Sequence, residues 1–103
     1  MDGNLYYTLD DNHEVIPTND VIKWARFFEN TEGRTVAKDE ADGMMVSTVF
    51  LGLDHGFGKS TLPIVFETMV FDKGREERGQ ERYDTWEAAE AGHRRWVKKV
   101  FGI

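Results

Sequence analysis

Cysteine is absent from all 103 residues. Without it no disulfide framework and no thiolate metal site can be built, and the absence fits a reducing compartment. Long hydrophobic runs are missing too. No stretch approaches the roughly 18–20 apolar residues needed to span a bilayer. The opening residues Met1-Asp2-Gly3-Asn4 are acidic and polar, unlike a signal peptide. The expected setting is therefore the cytosol, with no membrane association. Positive charge is in short supply, with 13 Lys and Arg against 19 Asp and Glu, for a net charge of −6. That disfavours direct nucleic-acid binding, which runs on basic side chains. It permits an acidic surface docking on a basic partner, although simple solubility also explains it. Repeats, linkers and low-complexity segments are absent.

What is present suits one packed domain over residues 1–103. Hydrophobic residues make up 40% and aromatic residues 13%, enough for a single core without metal or disulfide staples. Two apolar runs, 44–53 and 63–71, have strand length and are rich in Val, Ile, Phe, Thr and Met. They read as the two central strands of one sheet, the first covered on most of both sides. Between them lies the loop Asp54-His55-Gly56-Phe57-Gly58.

Around these runs the remaining elements can be placed in order. Residues 5–9 and 14–16 read as short strands about the turn formers Asp10-Asp11-Asn12-His13, with His13 solvated. Pro17 makes the second an edge strand. A helix over 21–30 follows the candidate caps Thr18-Asn19-Asp20, with Val21, Trp24, Ala25 and Phe28 on its core face. Gly33 is suited to a left-handed stop after it. Residues 34–40 read as an edge strand, and Asp42-Gly43 as a two-residue hairpin turn. Residues 72–80 read as a polar, mobile loop, with a short strand over 81–83. The last helix starts at Trp86 behind Asp84 as N-cap, with Glu87 three residues on in a capping-box spacing. Ala89, His93, Trp96, Val97 and Val100 form its inner face. The expectation is an α+β domain, a mainly antiparallel sheet of four to five strands with two helices packed on it.

The chemistry-bearing residues are few. Glu67 lies among apolar neighbours on the second run, where a buried carboxylate must be paired, hydrogen-bonded or protonated. His93 lies on an apolar stripe, where a core histidine bonded to backbone or hydroxyl is the ordinary reading. Gly58-Lys59-Ser60-Thr61 resembles the end of a P-loop, but position 53 is Leu and a strand, not a helix, follows. Asp54-His55 is a lone pair without a second ligand pair, so no metal site and no cofactor is expected. No catalytic set emerges. The candidate binding or functional residues are Asp54, His55, Phe57, Glu67 and His93.

Gly52-Leu53-Asp54-His55, Phe57-Gly58, Phe66-Glu67-Thr68-Met69-Val70-Phe71, Arg82-Tyr83 with Thr85, Glu87-Ala88 and Ala91-Gly92-His93 together resemble a group of small proteins of tailed bacteriophages and prophages. The resemblance spans residues 46–100, with a looser match of the helix containing Trp24. It implies a phage or prophage origin and a bacterial host cytoplasm, and no particular activity. The group's glycine- and proline-rich stretch is replaced here by Lys59-Ser60-Thr61. The resulting expectation is a non-enzymatic accessory protein that binds a host or phage protein, a host-defence inhibitor such as an anti-CRISPR being one form. Two alternatives stand beside it. One is a small-molecule or nucleotide-binding domain, with hydrolysis at His55, Asp54, Glu67 and His93. The other is a minor virion assembly component.

Overall fold

The computed structural model describes residues 6–56 and 62–102. Phe57, the Lys59-Ser60-Thr61 segment and Leu5 lie outside the described residues. The order of elements is β1 (Tyr6–Leu9), β2 (Val15–Thr18), α1 (Val21–Glu29), α2 (Thr31–Arg34), β3 (Thr35–Ala41), β4 (Met44–Phe50), β5 (Phe66–Phe71), β6 (Glu77–Tyr83) and α3 (Trp86–Phe101). This is the expected α+β class, with every strand pairing antiparallel.

Four strands form one sheet in the order β3-β4-β5-β6, and β1 and β2 form a separate two-stranded sheet. The Asp42-Gly43 turn joins β3 to β4 with both residues at positive φ, 53° and 82°, the backbone that a tight two-residue hairpin requires. Alternation then sends Val46, Thr48 and Phe50 of β4 and Phe66, Thr68 and Val70 of β5 to one face, where all six are buried. Helix α3 packs on that face, with Trp86, Ala89, Gly92 and His93 buried beneath it. The opposite face is only half-buried at Met45, Val49 and Met69. Strand β4 is thus fully covered on one side rather than on both.

Several boundaries differ from the sequence expectation, each for a physical reason. Strand β5 begins at Phe66, because Val65 bonds instead to Leu51 and Tyr83 backbone at its two ends. The expected mobile loop over 72–80 shrinks to a turn, and residues 77–80 join β6. Their charged side chains suit an edge strand, and Gly79 lets the Trp96 ring lie against the backbone. The cap of α3 is Thr85, not Asp84: the Thr85 hydroxyl accepts from Ala88 N at 3.0 Å. Gly33 is not a left-handed stop; it lies inside the one-turn α2, whose cap Asn30 accepts from Gly33 N at 3.0 Å. A third helix therefore joins the two expected.

The N-terminal layer of β1, β2 and α1 packs on the core through Tyr7, Leu9, Val15 and Phe27 and is hydrogen-bonded to it at one glycine. The Gly52 carbonyl accepts from Tyr7 N at 2.9 Å and from Trp24 Nε1 at 3.1 Å. Its φ is +77°, and a Cβ there would collide with Phe28 and Trp24. Trp24 stacks between Tyr6 and Phe28, and Phe27 meets Phe50 edge-on at 5.7 Å. Yet no residue of α1 is fully buried. Val21 and Ile22, expected to face or widen the core face, are 49% and 63% exposed.

Candidate functional site

Three arrangements bear on function. The first starts from two inward-facing threonines. Thr48 and Thr68 lie opposite each other in register and are fully buried. A buried hydroxyl is costly without a partner, and here the two bond each other at 2.5 Å. Thr48 Oγ1 also lies 2.6 Å from His93 Nδ1, and His93 Nε2 lies 2.7 Å from Asp39 Oδ2. On the other side Tyr83 Oη donates to Thr68 at 2.9 Å or to Glu81 at 3.1 Å. Glu81 also accepts from Trp96 Nε1 at 2.9 Å and Arg95 at 3.0 Å. The row crosses all four strands beneath α3. Gly92 makes room for it, since a Cβ there would overlap the Tyr83 phenol.

Counting protons fixes its sense. Tyr83 Oη has one proton to give. With a neutral His93 protonated at Nε2, the hydroxyls point from Tyr83 through Thr68 and Thr48 to Nδ1. With both ring nitrogens protonated, every hydroxyl reverses and Tyr83 donates to Glu81. Burial alone would raise the Glu81 carboxyl, but hydrogen bonds from Trp96, Arg95 and Tyr83, with the Arg95 charge, hold it below its ordinary range. Burial pushes the Tyr83 phenol up. The sequence carboxylate, imidazole, hydroxyl has the order of a nucleophile triad. Thr48, however, is 0% exposed, so it can meet no substrate, and the row holds α3 to the sheet.

The second arrangement is the set expected from sequence. Asp54 accepts from Gly56 N at 2.8 Å and Ile64 N at 3.0 Å, tying the two sides of its loop together. His55 donates its backbone N–H to Ile64 O, and its Nδ1 lies 3.0 Å from Leu53 O. Glu67 lies on the sheet face opposite α3, bonded to Arg82 Nε at 2.9 Å and Gln80 at 2.5 Å. His93 lies on the α3 face. The sheet itself separates Glu67 from His93, so His55, Glu67 and His93 do not form one site; Phe57 lies outside the described residues. Among the described residues there is no cluster of three or more His, Asp or Glu able to hold a metal.

The third arrangement went unread in the sequence. A cavity of about 460 Å³ opens between the β1–β2 hairpin and the start of α3. The hairpin turn is set by Asp10, whose side chain accepts from Asn12 N and Glu14 N. His13 sits there at φ +63°, and its ring stacks on Trp86 with centroids 3.6 Å apart and planes 8° off parallel. Tyr7 and the carboxylates of Glu14, Asp84 and Glu87 complete the polar lining. Burial and the charge of Asp54 raise the Tyr7 phenol. The sequence signal for it is an aromatic residue, Trp86, at the first turn of the last helix.

Comparison with protein-family models, with curated proteins and with solved structures finds no match.

Proposed function

We propose that this protein works by binding another protein, as an accessory protein of a tailed phage or prophage acting on a host or phage target. A host-defence inhibitor, such as an anti-CRISPR, is one concrete form. The observation that carries the reading is where apolar surface is left uncovered. Among the described residues, the exposed large hydrophobic ones are Ile16, Val21, Ile22, Leu53 and Leu62. All belong to the N-terminal layer or to the segment joining β4 to β5; the four-stranded sheet and α3 contribute none. Apolar surface gathered on one part of a small domain marks a docking region. The net charge of −6 favours a basic partner. The His93 row supports no competing hydrolytic reading, because its hydroxyls are sealed, and His55 and Glu67 stand apart from it.

The test is affinity capture from bacterial lysate, with the wild type beside Ile22→Asp and Leu62→Asp. Both positions are surface-exposed, so each change should alter stability by no more than about 0.5 kcal/mol. A stoichiometric protein held by the wild type and lost by the variants is the expected result. No captured protein, together with turnover of a small substrate, would overturn the reading.

A further inference from the structure

We propose that the cavity between the β1–β2 hairpin and α3 is a receptor for an arginine side chain carried on a basic segment of the partner. The inference rests on the protein-binding reading above and names the chemistry of the contact. The cavity, about 460 Å³, has room for one long side chain and its flanking backbone. Its aromatic members are Tyr7, His13 and Trp86. Trp86 is 9% exposed and packs edge-on against Phe66, 6.2 Å between centroids. The aromatic floor is therefore fixed by the core before any ligand arrives. His13 is exposed and stacks flat on the indole, covering that face, so the ring face open to a ligand is that of His13 itself. Guanidinium groups stack on such rings and keep their edge donors free for carboxylates.

Three carboxylates, Glu14, Asp84 and Glu87, line the same cavity, and no Lys or Arg does so among the described residues. None of the three takes part in an ion pair among the described residues, where the pairs are Arg78–Asp72, Arg82–Glu67, His93–Asp39 and Arg95–Glu81. Because Thr85 caps α3, Asp84 is spared that task. Part of the carboxylate charge complements the helix N-terminus, yet three acids exceed the half charge found there. The cavity thus joins an aromatic ring face to three carboxylates that have no ion-pair partner among the described residues, and a planar cation satisfies both. A lysine ammonium would meet the charge but not the flat stack. An acidic or neutral side chain would meet neither.

The probe is an N-acetylated, C-amidated Gly-Arg-Gly peptide, followed by the Trp86 indole and His13 ring signals in NMR titrations. Matched peptides carry citrulline, lysine or glutamate in place of arginine. Citrulline keeps the planar shape and removes the charge. The expected result is a saturable shift of both signals with the arginine peptide, weaker with lysine, and none with citrulline or glutamate. Glu14→Gln and Glu87→Gln each weaken arginine binding about two- to fivefold, and added salt weakens it further. Equal shifts from citrulline and arginine, tighter binding of lysine, or no saturable shift with any peptide would overturn the proposal. Capture of the partner by the Glu14→Gln/Glu87→Gln protein separates the two readings. Undiminished capture leaves protein binding standing and removes the cavity from it. Arginine binding without any captured protein keeps the cavity and removes the partner.

Discussion

Thr48 shows how much a single hydroxyl can hold. Replacing it with valine keeps the shape, strands His93 Nδ1, which it now bonds at 2.6 Å, and takes from the Thr68 hydroxyl one of its two partners, leaving Tyr83. The expected loss is about 1–3 kcal/mol in denaturant unfolding. Thr48→Val with Thr68→Val should cost less than the sum of the two, because both single changes remove the same Thr48–Thr68 bond. Glu81 sets the acid limb. Its folded pKa is held low by Trp96, Arg95 and Tyr83 against the effect of burial. Its contribution is therefore fully present above the ordinary value of 4.5 and is lost as pH falls through the folded value. Unfolding curves between neutral and acidic pH should show a shallower acid decline for Glu81→Gln; an unchanged slope would remove Glu81 from that role. Neither residue announced itself in the sequence. His93 was legible as a core histidine from its place on the α3 stripe, but its partners come from β3 and β4, and no local pattern encodes that meeting.

Among the elements, those with strong internal signals were readable. Helix α3 begins at Trp86, as its pattern indicates, and the β3–β4 turn follows from Asp42-Gly43 alone. The first half of β6 was not readable. Glu77, Arg78 and Gln80 look like loop residues, and only pairing with β5 makes them a strand. Helix α1 misled in the other sense. Its apolar face is real, but the layer beneath it is a two-stranded hairpin too small to cover it. Gly52 is one of the points at which that layer is tied to the rest. Gly52→Ala forces a Cβ into Trp24 and Phe28 at a positive φ, and a loss of about 2 kcal/mol or more is expected. Amide hydrogen exchange should then rise in β1 and β2 while β4 and β5 stay protected. Equal loss of protection in both sheets would mean that the layers unfold as one.

At the scale of the whole molecule, the proposed binding rests on two features, the net charge of −6 and the exposed apolar residues of the N-terminal layer and the β4–β5 segment. The sequence displayed the charge but not the cavity, whose walls come from residues 7–17 and 62–87. The order β3-β4-β5-β6 has a further consequence, for how the chain acquires its shape. Each strand pairs with its neighbour in the chain, so the sheet can zip up hairpin by hairpin with cheap loop closures. The N-terminal hairpin can pair as locally as the others, but its seat on the core is made far along the chain. His13 needs the Trp86 ring, which the ribosome supplies some seventy residues later. During synthesis the first segment made waits longest for its seat. In refolding, pulsed exchange should find β4 and β5 protected before β1 and β2, with the cavity completed in the last step.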